Sequence, residues 1–235
     1  MDTVLKLFKL IIIKIRCVLI KIFCFPKILF INFYYFPFAV AIRFPIYIGY
    51  QVPLHRLGRR NAIHLARIES GIFRFGLDNG SFDLGKKSSG FWDIGENGEL
   101  FIGGKASFSK GSVLIVDGKI SIGDNFYCNA NCIINSSQSI TIGSDCLLGW
   151  SVTVLDGDGH SIFNEEGKRI NYPAEISIGN NVWLCSESLV LKGASINNDS
   201  VLAARSCLTT SLNESNVVIA GIPAKIVKKN ITWKR

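Results

Sequence analysis

The chain has 235 residues, 48% hydrophobic and 19% charged, with a net charge of +8. That length suits one sizeable core and an appendage. The charge is local: residues 1–60 hold ten Lys or Arg against Asp2 alone, +9, while the rest holds sixteen against seventeen acids, −1. A neutral body lacks the clustered cations that phosphate contacts need, so no nucleic-acid surface is expected on it. Seven Cys without a CxxC pair read as small, reduced, buried thiols of a cytoplasmic protein, since Cys128, Cys132, Cys146, Cys185 and Cys207 fall inside repeats.

In chain order, Leu5 to Ile31 is apolar but carries Lys6, Lys9, Lys14, Arg16, Lys21 and Lys27. On a helix these cations fall within an arc of about 160°, leaving the other face apolar. The longest uncharged stretch, Ile28 to Ile42, contains Pro37 and is too short for a confident membrane span. No small-residue cleavage site follows, which argues against a secretory signal. Residues 1–31 are expected either to lie on the cytoplasmic face of an inner membrane, with Phe8, Leu10, Ile13 and Phe23 in the acyl boundary, or to pack on the protein itself or a neighbouring subunit. Asn32 to Gly49, aromatic and holding Pro37 and Pro45, reads as an extended lead-in strap. The organisation is thus an extension over 1–50, irregular early coils over 51–100, a β-helix over 101–215 and a tail over 216–235.

The centre of the sequence is a sixfold repeat. From Ile178 the first position holds Ile178, Leu184, Val190, Ile196, Leu202 and Leu208, and the fifth is small at Ser188, Ala194, Ser200 and Ser206. A period of six fits neither an α-helix nor a simple strand. It fits triangular coils in which each side is a hexapeptide, that is, an all-β parallel β-helix. Earlier, Ile102-Gly103, Ile122-Gly123 and Ile142-Gly143 recur every twenty residues, whereas Ile142 to Ile178 spans thirty-six. One coil of about twenty leaves roughly sixteen residues to protrude as a loop, about 156–174, and this loop contains His160.

Several motifs resemble the hexapeptide-repeat acyltransferases, including the maltose and galactoside acetyltransferase group and those of capsule and O-antigen clusters. They are Ile178-Gly-Asn-Asn-Val-Trp183, Leu191-Lys-Gly-Ala-Ser-Ile196, Gly221-Ile-Pro-Ala-Lys-Ile226, Asn125-Phe-Tyr-Cys-Asn-Ala-Asn-Cys132 and Asp158-Gly-His160. The resemblance implies a left-handed β-helix, a homotrimer with sites in grooves between subunits, and acetyl-CoA as donor. It assigns Asn129 to the oxyanion or the acceptor hydroxyl. It also assigns Trp183, Ala203, Thr209 and Lys225 to coenzyme A. Two departures stand out: Leu202-Ala-Ala-Arg-Ser206 where the family is often Gly-rich, and Cys185 where it often has Gly.

The chemistry asks for a base, because a sugar hydroxyl is a poor nucleophile at neutral pH. Of three His, His55 and His64 lie outside the regular repeats, so His160 is the candidate. Asp156 and Asp158 are the nearest carboxylates that could orient it, though turn roles suit each better. Ser161 is adjacent to His160 and is no nucleophile. Too few His exist for a zinc carbonic anhydrase, no metal is expected, and no G-x-G-x-x-G motif marks a nucleotide-sugar domain. The expected function is acetyl-CoA-dependent O-acetylation of a saccharide or lipid-linked saccharide of a bacterial surface polysaccharide. A sugar N-acetyltransferase and an inactive scaffold of a glycan-synthesis complex remain as alternatives.

Overall fold

The computed structural model describes residues 22–81, 85 and 88–235. Twenty-three strands, β1 to β23 in chain order, form three sheets. The first sheet stacks β1 (Ile46–Ile48), β4 (Phe73–Phe75), β7 (Ala106–Phe108), β10 (Phe126–Cys128), β13 (Leu147–Leu148), β16 (Trp183–Leu184), β19 (Val201–Leu202) and β22 (Val218–Gly221). Antiparallel β23 (Ala224–Lys228) closes it. The second holds β2 (Leu54–Leu57), β5 (Phe91–Ile94), β8 (Val113–Val116), β11 (Ile133–Ser136), β14 (Thr153–Leu155), β17 (Leu189–Leu191) and β20 (Cys207–Leu208). The third holds β3 (Ile63–Leu65), β6 (Glu99–Ile102), β9 (Lys119–Ile122), β12 (Ser139–Ile142), β15 (Ile176–Ile178), β18 (Ser195–Ile196) and β21 (Ser211–Leu212). Three consecutive strands make a coil, and every pairing between coils is parallel, so the architecture is a parallel β-helix with three edges.

The sixfold ladder is its core. Ile102, Ile122, Ile142, Ile178 and Ile196 are register partners in successive coils, and each is buried. Burying one such side chain contributes roughly 1.5–3 kcal/mol, so a stack shared between neighbouring coils suffices to hold short strands. The edges need left-handed backbone. Gly111, Asn131, Ser151, Glu187 and Arg205 supply it between the first and second sheets, and Asn125, Asp145, Asn181, Asp199 and Asn216 between the third and first. Asn and Asp tolerate this region better than other side chains, which explains their recurrence at the latter edge.

The coils begin at Ile46, well before the aliphatic ladder. Segment 51–100 holds β2 to β6 because its core is aromatic: Phe73, Phe75 and Trp92 are fully buried, with ring centroids 5.5 Å apart for each Phe–Trp pair. The expected strap over Asn32 to Gly49 is instead helical at its start. Helix α1 runs from the first described residue, 22, to residue 35, and α2 spans Phe38–Ala41. Cys24, Ile28, Ile31 and Tyr35 recur at helical spacing and are buried in the same core as the first coil. Asn32, also buried, bonds the Ile28 and Ile46 carbonyls and accepts from Ile46 N–H, tying α1 to β1. The helix expected from Leu5 and its membrane-facing Phe8, Leu10 and Ile13 lie, up to residue 21, outside the described residues.

Candidate active site

The loop leaves the edge between the second and third sheets after β14 and returns at β15. Asp156 opens it and is fully buried. Its carboxylate accepts from Ser136 Oγ at 2.8 Å, Ser137 N at 2.5 Å and Gln138 N at 2.9 Å, clamping the loop base to the coil below. Asp158 reaches the coil above, where Lys192 Nζ lies 2.5 Å from its Oδ2. The Lys192 ammonium and the Asn171 amide hold the Asp158 carboxyl below its usual range. Asn171, itself buried, donates to Asp158 Oδ2 and to the His160 carbonyl, both at 2.8 Å, and accepts from Ile162 N–H at 2.6 Å.

These bonds fix the backbone of His160 while leaving its imidazole exposed and unbonded among the described residues. Both nearby carboxylates are committed elsewhere, so neither orients the ring. The other two His are packing residues: His55 stacks on Phe91 at 4.6 Å and His64 on Phe101 at 4.3 Å. Asn171 and Lys192 went unrecognised in the sequence, because their roles depend on the loop folding back so that both meet Asp158.

Asn129 sits on a different edge, between the first and second sheets, directly after β10. It is 6% exposed. Its Oδ1 accepts from Ser81 N–H at 3.0 Å, which fixes the amide so that Nδ2 remains the donor. The turn that brings Ser81 there is built on Asp78, whose Oδ1 accepts from Ser109 Oγ at 2.6 Å and Gly80 N at 3.0 Å. The indole of Trp150, one coil above, donates to Ser81 O at 3.1 Å. Sequence reasoning missed this turn, since 51–100 carried no legible period.

The remaining candidates divide in the same way. Ala203 follows β19 on the edge of Asn129, and Thr209 follows β20 on the edge of His160. Thr209 is exposed and Ala203 half-buried. Lys225 is exposed on β23. Trp183 belongs to neither edge: it lies on the outer face of the first sheet, 5.8 Å from Trp233, whose Nε1 donates to Asn181 O. Cys185 shares the Asn129 edge, and burial pushes its thiol up to about 11, so it is no thiolate near neutral pH. Its neighbours at the departing Ala-Ala-Arg segment include Arg205, which pairs outward with Glu187 at 2.7 Å. Among the described residues no group of three or more His, Cys, Asp or Glu could hold a metal ion.

Within one chain, therefore, His160 and Asn129 are a sheet apart. A side of five or six extended residues is about 17–20 Å. The bonds of the two residues go to different parts of the fold, Asn129 to Ser81 and the His160 carbonyl to Asn171. Each edge thus carries one of the two expected residues.

No family model matches the chain. It is 35% identical over 136 residues to WbbJ of Escherichia coli K12, named as a lipopolysaccharide-biosynthesis O-acetyl transferase, covering 52% of this chain and 69% of that one. It is 35% identical over 142 residues to the galactoside O-acetyltransferase of Escherichia coli K12, covering 59% of this chain and 64% of that enzyme. Against the polysialic acid O-acetyltransferase of Escherichia coli O1:K1 it is 35% identical over 128 residues, covering 54% and 40%. The chain thus spans less than two thirds of the length of the latter two relatives. The fold, a left-handed β-helix, is shared with AntD, an N-acyltransferase from Bacillus cereus, at a TM-score of 0.51 and 16% identity over 61% of this chain and 78% of that one. From the repeat, the coils and the identity to WbbJ, the chain belongs to the hexapeptide-repeat acetyltransferase family.

Proposed function

We propose that this chain transfers acetyl from acetyl-CoA to a hydroxyl of a bacterial surface polysaccharide or its precursor. The observation that carries the reading is the division of the site residues between two edges. Asn129 and Ala203 lie on one, His160 and Thr209 on the other, and a closed ring of identical β-helices would set the first edge of one copy against the second edge of the next. A trimer is the smallest such ring for a triangular coil. The relatives named for lipopolysaccharide and polysialic acid O-acetyl transfer support the acceptor class.

Acetyl-CoA supplies an activated thioester. His160 takes the proton from the acceptor hydroxyl as its oxygen bonds to the acetyl carbon and the carbon–sulfur bond breaks, then gives it to the departing sulfur. The Asn171 clamp keeps the imidazole presented outward. Asn129 Nδ2, already directed by Ser81, donates to the oxygen on which negative charge grows. Transfer is direct, without an acyl-enzyme, since among the described residues the His160 imidazole bonds no hydroxyl or thiol that it could activate. Ala203 and the adjoining exposed Ala204 leave room along the edge for the pantetheine chain, Thr209 offers a hydroxyl, and Lys225 with Lys228 offers cations to the coenzyme phosphates. Trp183, packed on Trp233, meets the donor from the outer face of the first sheet, which borders the Asn129 edge.

The reading extends to location. Among the described residues no helix is long and apolar enough to cross a membrane. The outer side of α1 and α2 nevertheless exposes Phe25, Phe30, Phe33 and Phe38, and Arg60 lies beside Phe30 and Phe33 with its guanidinium over the Tyr34 ring. Aromatic and cationic together, this face suits the anionic cytoplasmic surface of an inner membrane, where a lipid-linked acceptor would be met.

The test is release of free coenzyme A thiol with a panel of saccharides. Acceptor-dependent turnover that falls at least a hundredfold in His160→Ala is expected from loss of a general base. Turnover equal in both proteins would remove His160 from the reaction.

A further inference from the structure

We propose that a cavity on the outer face of the first sheet is an acceptor subsite for an acidic saccharide, one bearing a carboxylate or a phosphate. The proposal rests on the acetyl-transfer reading and adds to it the chemical class of the acceptor. The cavity has a volume of about 370 Å³, enough for one or two sugar rings, and is lined by Arg74, Ser107, Tyr127, Lys105, Arg235 and Glu69 among others.

Strand alternation builds its floor. Phe73, Phe75, Ala106, Phe108, Phe126 and Cys128 point into the core and are buried, so the residues between them point out. Those are Arg74, Ser107 and Tyr127, register partners on β4, β7 and β10. They form a short ladder of cation, hydroxyl and aromatic ring with rungs about 4.8 Å apart. Lys105 precedes β7 on one flank. Arg235 arrives from the C-terminal tail on the other, its guanidinium 4.9 Å from the Tyr127 ring centroid and its NH1 3.2 Å from Asn125 O.

The charge balance is one-sided. Glu69 is the acid among the lining residues, and Arg67 already pairs with it at 3.0 Å. Arg74 and Lys105 make no ion pair among the described residues. Three cations therefore converge from separate parts of the chain on one concave space against a single lining acid, Glu69, which Arg67 already pairs, and the Tyr127 ring under Arg235 adds an aromatic edge for a sugar.

The cavity also leads to the chemistry. Tyr127 precedes Asn129 by two residues, a displacement of about 6.6 Å along an extended chain. The Tyr127 hydroxyl lies 3.1 Å from Ser109 Oγ and 3.4 Å from Asp78 Oδ1, the residue on which the Ser81 turn is built. A saccharide held by its acid group here would present the next hydroxyl toward the Asn129 edge.

Calorimetric titration of the whole chain with oligogalacturonate, a phosphorylated disaccharide and a neutral galacto-oligosaccharide tests the assignment, with acetyl-CoA titrated in parallel. The wild type should bind at least one acidic probe more tightly than the neutral one, and the two acidic arms tell carboxylate from phosphate. The double variant Arg74→Gln/Lys105→Gln should weaken acidic binding about tenfold, since an exposed pair is worth up to roughly fivefold. Arg43→Gln, outside the cavity, should not. Equal binding of acidic and neutral probes, or no effect of the double variant, overturns the subsite even if acetyl-CoA binds. Failure to bind acetyl-CoA and every saccharide overturns the acetyl-transfer reading as well.

Discussion

His160 and Asp156 stand four residues apart and do opposite work. Asp156 is sealed from solvent, and its carboxylate answers three donors from the corner at 136–138. Replacing it by Ala removes a buried carboxylate together with the three hydrogen bonds it accepts, which costs roughly 2–4 kcal/mol. Denaturant unfolding of Asp156→Ala should show that loss, and stability within about 0.5 kcal/mol of wild type would mean the corner finds other partners. His160 is solvent-facing with its main chain held, so His160→Ala should leave stability unchanged while removing turnover. The sequence singled out His160 because the glycine-flanked run Asp156-Gly-Asp-Gly-His160 falls in the stretch that exceeds one coil. It offered no means of finding Asn171 or Ser81, whose roles depend on which distant backbone groups they meet.

Among the elements, the legible ones are those whose core is aliphatic. From Ile102 upward the inward position of each hexapeptide holds Ile, Leu or Val apart from Phe108 and Cys128, and strand after strand follows the period. Lower down the inward positions hold Phe73, Phe75 and Trp92, which fill the core with fewer, larger side chains and hide the period. Helix α1 was legible up to Ile31 from its cations, but its last turn was not: the buried face of Cys24, Ile28, Ile31 and Tyr35 continues into a run so aromatic that no polar face sets it off. That outer face makes a prediction. Full-length protein should sediment with vesicles containing anionic lipid and not with neutral vesicles, and Phe30→Glu/Phe33→Glu should abolish this. Sedimentation with neither vesicle would assign the face to a protein neighbour instead.

The molecule as a whole is a triangular prism with Asn129 on one edge and His160 on another. Its third edge, between the third and first sheets, is covered by the C-terminal segment, where Ile231 N bonds Asn216 O and Trp233 bonds Asn181 O. That leaves the two functional edges open for neighbours, and a ring of copies would join unlike edges at every contact. Handedness was not legible in a period of six, which fits coils of either hand, and the pairing of the half-sites was legible only after the strands were assigned to sheets.

The pairing can be tested by mixing subunits. Asn129→Ala and His160→Ala proteins, each inactive or nearly so, are unfolded together and refolded, and acetyl transfer is measured against the separately refolded proteins. If each site takes its Asn129 edge from one copy and its His160 loop from the next, random assembly should restore about a quarter of wild-type turnover, because that share of contacts joins two intact edges. Turnover no higher than that of the separate variants, in assemblies shown to contain both, would contradict a shared site and place the reaction within single chains.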